Sequence, residues 1–313
     1  MEAEIKKRRR RKGVALPTTW LHIMLIPAIV VVVIYSYLPM GGAVIAFQRY
    51  MPNIGLGVSA FWRSEWVGLY NFRRVFNDAD FSRAFINTLR IALLKIVIGY
   101  VSAITLSLLL NEVRKAGLKK TIQSLIYLPH FLSWIILAGV IREVFSKEGM
   151  FNHVIGSAFG IAPKTWLSLN TPFLVILIGT NLWKEIGYST IIYLAAITSI
   201  DPNLYEAAMV DGAGKLKQIW HVTLPGMLPI IVLTGVLNLS GILNAGFDQV
   251  FNLYSAPVYK VGDIIDTLTF RKGFMGGDYE LGAAIGLFNS VIAFTLIRAS
   301  HYLAKRFANY EIF

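Results

Sequence analysis

Six long apolar segments, separated by shorter polar connections, constrain the fold of this chain more than any other feature. Each is long enough to supply the roughly 20 residues that an α-helix needs to cross a bilayer. Because lipid offers the backbone no hydrogen-bond partners, such segments form helices rather than open strands. The sequence therefore predicts an all-α membrane protein with six transmembrane helices. The predicted spans are residues 20–46, 88–111, 122–145, 172–198, 226–247 and 281–304.

The composition favours a membrane protein and excludes several other classes. Of the 313 residues, 55% are hydrophobic and only 15% are charged, which is too apolar for an ordinary soluble domain. The chain has no cysteine, so it can hold neither a disulfide nor a thiolate metal site. Its five histidines show no metal-binding spacing. We therefore predict no metal site and no cofactor in this chain.

The net charge of +12 is concentrated before the first apolar segment, where seven of the thirty Lys and Arg residues lie between Lys6 and Lys12. This position indicates an anchor at acidic lipid headgroups, and it argues against nucleic acid as the partner. A cleaved signal peptide is the alternative, but the apolar run is long and lacks a clear small-residue cleavage site. We predict a basic cytoplasmic tail, residues 1–19, ahead of one transmembrane domain, residues 20–313.

The other basic residues predict the orientation in the membrane. Sixteen Lys and Arg residues fall in the segments assigned to the inside, and ten fall in the outer loops, although those loops are longer. By the positive-inside rule, both termini and residues 201–225 are cytoplasmic. The inside segments are 1–19, 112–121, 199–225 and 298–313, and the outer loops are 48–87, 146–171 and 248–280.

Residues 201–225 form a polar stretch between the fourth and fifth apolar segments. Asp201 is suited to cap a helix, and Pro202 is suited to its first turn. One apolar stripe then follows at helical spacing. Gly212 and Gly214 allow the chain to leave the helix in a left-handed or open conformation. The stripe consists of Leu204, Tyr205, Ala208 and Met209.

The same stretch resembles the EAA signature of bacterial ABC-importer permeases. That signature reads Glu-Ala-Ala, three residues, Gly, nine residues, an aliphatic residue, any residue, and Leu-Pro. The resemblance implies a type I importer fold whose cytoplasmic coupling helix docks on a separate ATPase subunit. The matching positions are Glu206, Ala207, Ala208, Gly212, Val222, Leu224 and Pro225. The coupling contact that it implies is made by Glu206, Ala207, Ala208, Asp211 and Gly212.

Further likeness to carbohydrate-uptake permeases extends over most of the chain, and it is strongest to the polysaccharide and oligosaccharide subgroup, which includes importers of uronate-containing sugars. It implies an oligosaccharide importer in the bacterial cytoplasmic membrane. By the same resemblance, the partners are a second related permease in a heterodimer, two ATPase subunits and an external solute-binding protein. The segments that carry it are Phe47–Tyr50, Trp66–Phe72, Tyr127–Phe131, Trp183–Gly187 and Ile192–Ala196.

The sequence predicts that the chain is not itself an enzyme. Gly214-Lys215 is similar to the end of a phosphate-binding loop, but Leu216 replaces the Ser or Thr and Met209 stands where the first Gly belongs. No nucleophile elbow is present. We therefore expect ATP and Mg to bind in the partner ATPase subunits.

Polar residues inside the apolar segments are candidates for a substrate path. Lys184 and Glu185 lie near the middle of the fourth span; the alternative is that each pairs with a neighbouring helix. Asn244 and Asp248, in the fifth span and at its exit, share a helix face. Such side chains suit a hydroxyl-rich solute, and hydrogen bonding between helices is the alternative. The predicted path residues are Asn181, Trp183, Lys184, Glu185, Asn238, Asn244, Asp248 and Asn289.

Two further expectations concern a bend and a loop. Pro129 predicts a bend early in the third span, and we expect His130 to have a structural role there. Residues 248–280 show no helical period and are predicted to form an exposed platform.

An ion-gradient-driven secondary transporter of polar solutes is the alternative function. It would use Lys95, Lys184 and Glu185 for ion or proton coupling. Its uptake would persist without an ATPase subunit and would collapse on addition of a protonophore.

Overall fold

Helices make up nearly all of the chain that the computed structural model describes, residues 18–52 and 58–308. One two-stranded antiparallel pairing, β1 (Gln48–Arg49) with β2 (Glu65–Trp66), lies after the first helix. The helices are α1 (Thr18–Val32), α2 (Leu38–Met40), α3 (Val58–Arg63), α4 (Tyr70–Asn77), α5 (Ala79–Asn111), α6 (Ala116–Tyr127), α7 (Trp134–Val144), α8 (Met150–Phe159), α9 (Asn170–Thr198), α10 (Pro202–Val210), α11 (Lys215–Gln218), α12 (Leu224–Ser240), α13 (Phe247–Leu253), α14 (Tyr259–Gly262), α15 (Ile265–Leu268) and α16 (Tyr279–Ala308).

Short irregular helical segments join several of these helices end to end. The π segments are Val33–Tyr37, Ile219–Thr223 and Thr269–Met275. The 3-10 segments are Gly41–Phe47, Leu128–Phe131, Trp166–Ser168 and Ala256–Val258.

Four helical stretches of the described chain are long and apolar enough to cross a membrane, and a bent pair of helices makes a fifth if it counts as one span. Helix α9, at 29 residues, is about 43 Å long, but polar side chains at its centre reduce its apolar character. The helical membrane architecture is therefore confirmed, whereas six spans and the orientation of the termini stay predictions. The four stretches are His22–Phe47, Ala79–Asn111, Lys215–Leu239 and Tyr279–Tyr302.

The predicted third span, residues 122–145, is broken rather than continuous. Residues Ala116–Phe131 and Trp134–Val144 meet at an angle of 100°. Pro129 stands in the 3-10 segment before the break, and Ser133 then caps α7 by accepting a hydrogen bond from the Ile136 amide at 3.4 Å. The bend predicted from Pro129 is thus confirmed. The sequence did not indicate its size, because a proline alone does not fix how far a helix turns.

The predicted fifth span, residues 226–247, is too long at its carboxyl end. Helix α12 ends at Ser240, a turn follows, and Gly246 adopts a left-handed φ of 88° before α13 begins. The inference that Asn244 and Asp248 continue one helix face is therefore wrong. The cause is local, since Gly241 and Gly246 allow the chain to leave and re-enter helical geometry.

Residues 248–280 do not form an exposed platform, and that prediction is also wrong. The segment folds into short helices whose apolar side chains enter the two larger apolar cores. The carboxylate of Asp263 is buried too, and it accepts hydrogen bonds from Thr267 and Arg271. Burial raises the pKa of Asp263, while both partners act in the opposite direction. The buried apolar residues are Val250, Leu253, Val258, Ile264, Ile265 and Leu268.

Helices α5 and α9 form the centre of the molecule, where Ile91, Phe173 and Leu177 are completely buried. Helix α1 is very different, because its described side chains are all exposed and none of its apolar surface is covered. Residues 1–17 of the predicted basic tail lie outside the described part of the chain.

We expect Gly187→Ala to destabilise the protein, because a Cβ there would overlap the backbone carbonyl of Ile126 on α6. Overpacking of this kind costs typically about 1–3 kcal/mol. The matched control is Gly179→Ala on the same helix, where a Cβ would meet no atom within 4 Å. Thermal unfolding of the purified transporter in detergent checks the difference; equal melting temperatures would show that the two helices do not pack closely at Gly187.

Candidate functional site

Helices α5, α9 and α12 border a cavity of about 530 Å³, here called the central cavity. Its volume is within the range of sites that hold small organic ligands. Both apolar and polar side chains line it, and the described chain encloses it only in part. The polar residues that line it include Lys95, Tyr100, Asn181, Glu185, Tyr188, Tyr193, Thr234, Asn238 and Asn244.

Four of the eight predicted path residues line the central cavity, and four do not. Those that line it are Asn181, Glu185, Asn238 and Asn244. Asn244 reaches it from the turn after α12 rather than from a helix face. Of the others, Trp183 and Asp248 are exposed elsewhere, Lys184 is buried, and Asn289 borders a separate groove.

The contacts of Lys184 fit the alternative in which this residue pairs with a neighbouring helix. Its ammonium donates to the backbone carbonyl of His130 at 2.5 Å and lies 5.6 Å from the ring centroid of Trp134. Its distance to the Glu185 carboxylate is 3.6 Å. Lys184 therefore holds the bend between α6 and α7 against α9, and it is not among the residues that line the cavity.

His130 connects the same bend to the cavity wall. Its Nδ1 lies 2.8 Å from Glu185 Oε2, and its ring stacks on Tyr188 with centroids 4.1 Å apart and an angle of 4° between the planes. Glu185 and Tyr188 both line the central cavity. His130 thus fixes two wall side chains without lining the cavity itself, which agrees with the structural role expected for it.

Lys95 joins three parts of the molecule at the edge of the cavity. Its ammonium donates to the Ala245 carbonyl and to Gln249 Oε1, each at 2.6 Å. Gln249 is fully buried and in turn donates to the Leu177 carbonyl at 2.7 Å and to Thr180 at 2.9 Å. The turn after α12 is therefore fixed to both α5 and α9.

Sequence reasoning missed the tyrosines of the cavity. Tyr193 is within hydrogen-bond distance of Thr234, at 3.0 Å, and Tyr100 donates to the Ile231 carbonyl. The two rings meet edge to face at 5.9 Å. The sequence did contain a signal for them, since a tyrosine in the middle of an apolar helix has a hydroxyl group that needs a polar partner when it is buried.

A second depression, here called the aromatic groove, has a volume of about 470 Å³ and lies between the Thr269–Met275 segment and α16. Its polar lining includes Asp266 and Asn289. Asn289 Oδ1 is buried, and none of the described residues donates a hydrogen bond to it. The aromatic lining consists of Phe247, Phe270, Phe274 and Tyr279.

The predicted coupling segment has the local structure that its sequence indicates. The Asp201 side chain caps α10 by accepting from the Asn203 amide at 3.0 Å. At the other end, Gly212 is left-handed with φ 74°, and the amides of Gly212 and Ala213 donate to the carbonyls of Met209 and Ala208. This is a Schellman motif, which ends the helix sharply.

Helix α10 is attached to the membrane helices by few contacts. Tyr205 pairs with Thr223 at 3.1 Å, just before α12. Large apolar side chains in and after α10 remain exposed, and so does Glu206. The exposed apolar residues are Leu204, Met209, Val210, Leu216 and Trp220.

A network of charges ties the start of α5 to the segment before α16. Lys272 contacts Asp78 at 2.6 Å and Asp80 at 2.9 Å, and Arg74 contacts Asp278 at 2.5 Å. Burial lowers the pKa of Lys272, but the two carboxylates outweigh this and raise it overall. Among the residues that the structure describes, no group of three or more His, Asp or Glu side chains could hold a metal ion.

Residues 95–309 match the protein family described as "Binding-protein-dependent transport system inner membrane component". The chain belongs to this family. Members are membrane components of transport systems, so the family assignment gives this chain a role in transport. It also agrees with the EAA signature found in residues 206–225.

Two curated relatives come from Bacillus subtilis (strain 168). Protein LplB is 39% identical, with 94% of this chain and 91% of the relative covered. The polygalacturonan/rhamnogalacturonan transport system permease protein YteP is 37% identical, with 100% of this chain and 97% of the relative covered.

Two crystal structures of bacterial alginate ABC transporters contain a chain with the same fold. One, of a transporter that imports the acidic polysaccharide alginate, matches with a TM-score of 0.84 and 36% identity over 92% of this chain and 96% of the other. The second is a complex with an alginate pentasaccharide-bound periplasmic protein; it also has a TM-score of 0.84, at 34% identity over 94% and 96%.

We expect Lys95→Met to lower the stability of the protein, because the Ala245 carbonyl and the Gln249 side chain lose their donor. Each buried acceptor left unpaired costs about 1–3 kcal/mol. Lys147→Met, which removes an exposed lysine, is the control. Thermal unfolding of the purified transporter measures both variants, and a Lys95→Met protein as stable as the control would contradict this role.

Proposed function

We propose that this chain is one of two permease subunits of an ATP-driven bacterial importer of oligosaccharides in the cytoplasmic membrane. The observation that carries the proposal is the central cavity, a polar-lined space between α5, α9 and α12 in a chain of this family. In this proposal the chain has six transmembrane spans, both termini in the cytoplasm and the type I importer fold.

The chemistry of the central cavity suits a hydroxylated ligand. Amides at Asn181, Asn238 and Asn244 can donate and accept, as hydroxyl groups of a sugar require. Lys95 and Glu185 place one positive and one negative group in the lining. The named cargoes of YteP and of the alginate transporters are acidic polysaccharides, which supports uronate-containing oligosaccharides as the cargo of this chain.

The coupling segment supports an interaction with a separate ATPase. Exposed apolar side chains on α10 are costly in water, and burial against a protein partner removes that cost. Because the Schellman turn and the Tyr205–Thr223 contact hold α10 to the start of α12, a displacement of α10 would be passed to the cavity wall. ATP and Mg would bind in two such ATPase subunits.

The described surface also supports a second permease subunit. The described side chains of helix α1 are all exposed, and the central cavity is only partly enclosed by the described chain. A related permease in a heterodimer would cover α1 and close the cavity. A solute-binding protein would deliver the cargo from outside. In support of this, one of the alginate transporter structures is a complex with a periplasmic protein that has an alginate pentasaccharide bound.

We expect Glu206→Lys to abolish ATP-dependent uptake while the chain still inserts into the membrane. Charge reversal at the centre of a docking surface places a repulsive group against the ATPase. Glu148→Lys makes the same change at an exposed glutamate in another loop. Transport assays on proteoliposomes, together with co-purification of the ATPase, check the effect; normal uptake in Glu206→Lys would exclude α10 as the coupling element.

We expect Gly99→Leu to reduce oligosaccharide uptake at least about tenfold, since misfits in binding pockets have effects of this size. Gly99 lines the central cavity, and a Cβ there meets no atom within 4 Å, so a leucine at this position would begin in open space and occupy part of the cavity. Gly139→Leu on α7, where a Cβ also meets nothing within 4 Å, is the control. Equal uptake by the two variants would show that the cargo does not pass this cavity.

A further inference from the structure

We propose that the aromatic groove is a second saccharide-binding site, which holds a sugar ring next to the one in the central cavity. This inference rests on the proposed function, because it assumes that the ligand is an oligosaccharide that passes through this chain. The two sites would bind successive parts of the same molecule, so the groove would determine how well long oligosaccharides are transported.

The groove and the central cavity meet at one turn of the chain. Gly246 lines the central cavity and Phe247 lines the aromatic groove. The Cα atoms of two successive residues are only about 3.8 Å apart, so the turn is a shared wall between the two spaces. Gly246 has a left-handed φ of 88° and is the last residue before α13 begins at Phe247.

The walls of the groove are suited to the apolar face of a sugar ring. Phe247 and Phe270 meet at 5.8 Å, close to edge-on, and Phe270 stacks on Phe274 at 5.5 Å. Phe274 is exposed, although it is a large apolar side chain. An aromatic ring has a negative face, which attracts the C–H groups along one side of a pyranose.

The polar groups of the groove lack partners of the kind that a sugar supplies. Asn289 Oδ1 is a buried acceptor with no donor among the described residues. Asp266 also lines the groove, and burial, with no compensating partner, raises the pKa of its carboxyl group. A buried acceptor at Asn289 and a carboxyl group at Asp266, beside aromatic walls, suit a ligand that is apolar on one face and donates hydrogen bonds at its edge. Sugar hydroxyls have this property, whereas a lipid chain would leave Asn289 Oδ1 unpaired.

Glycines give the groove its shape. A Cβ on Gly273 would lie 2.7 Å from the Cα of Gly282, so the Thr269–Met275 segment and α16 are in direct backbone contact at the floor. One turn further along α16, Gly286 lines the groove, and a Cβ there would meet no atom within 4 Å. A larger side chain at Gly286 would therefore begin in open space and occupy part of the groove.

Two variants test the proposal in the intact transporter, purified with its partner subunits and reconstituted in proteoliposomes with its solute-binding protein. Gly286→Leu fills the groove, and Asn289→Leu removes the unpaired acceptor at similar size. The probes are oligogalacturonides of two to six residues. Gly139→Leu, which adds the same side chain in open space on α7, is the control.

We expect both groove variants to raise KM about tenfold for the longer probes and to leave uptake of the disaccharide unchanged, because the disaccharide fits in the central cavity alone. Asn289→Leu should be at least as stable to heat as the natural protein, since removal of an unpaired buried acceptor removes an unfavourable group. A purely structural role of Asn289 predicts the opposite, a lower melting temperature.

Three results would overturn the proposal. An equal loss of uptake at every probe length would show that the groove does not bind the additional sugar residues of the longer probes. Loss of the co-purifying second permease in Gly286→Leu would show that the groove is filled by that subunit. Unchanged KM at all lengths would show that no sugar binds there. If the natural transporter imports none of the saccharides tested, including alginate oligosaccharides, the proposed function fails and this inference fails with it.

Discussion

The structure depends on one requirement, that polar groups buried among apolar helices must find partners inside the protein. Lys95 and Gln249 satisfy this requirement by bonding to each other and to backbone carbonyls, and these hydrogen bonds join α5, α9 and the turn after α12. Lys184 meets the same requirement at the bend before α7. Because unpaired polar groups are very costly in lipid, these bonds fix the relative positions of the helices and so define the central cavity. The hydrogen bonds of the buried polar side chains thus also determine the shape of the cavity.

The sequence was informative where local rules decide the structure. The cap at Asp201, the left-handed Gly212 and the bend at Pro129 each depend on a few neighbouring residues, and all three are confirmed. It was wrong where distant contacts decide. Residues 248–280 are polar and show no helical period, yet the Asp263 carbonyl accepts a hydrogen bond from Asn87, 176 residues away in the chain, and nearby Ile264 is completely buried. No local pattern indicates that such a segment folds into the core.

The candidate site shows the same division. Asn181, Glu185, Asn238 and Asn244 lie together on one cavity, but they come from α9, α12 and the turn after it. Polar side chains within apolar segments could be identified from the sequence alone. Which of them face the same space depends on helix rotation and on where α12 ends. Lys184, in the same stretch as Glu185, does not line the cavity and bonds to the His130 carbonyl instead. The aromatic groove could not be predicted, because its walls come from three separated segments.

Helix α1 has a consequence for how the cell makes this protein. Its described side chains are all exposed, so in the heterodimer proposed above a copy synthesised without the second permease would leave this helix open to lipid and to membrane proteases. Balanced synthesis of the two subunits would then protect both, and an excess of either would be degraded.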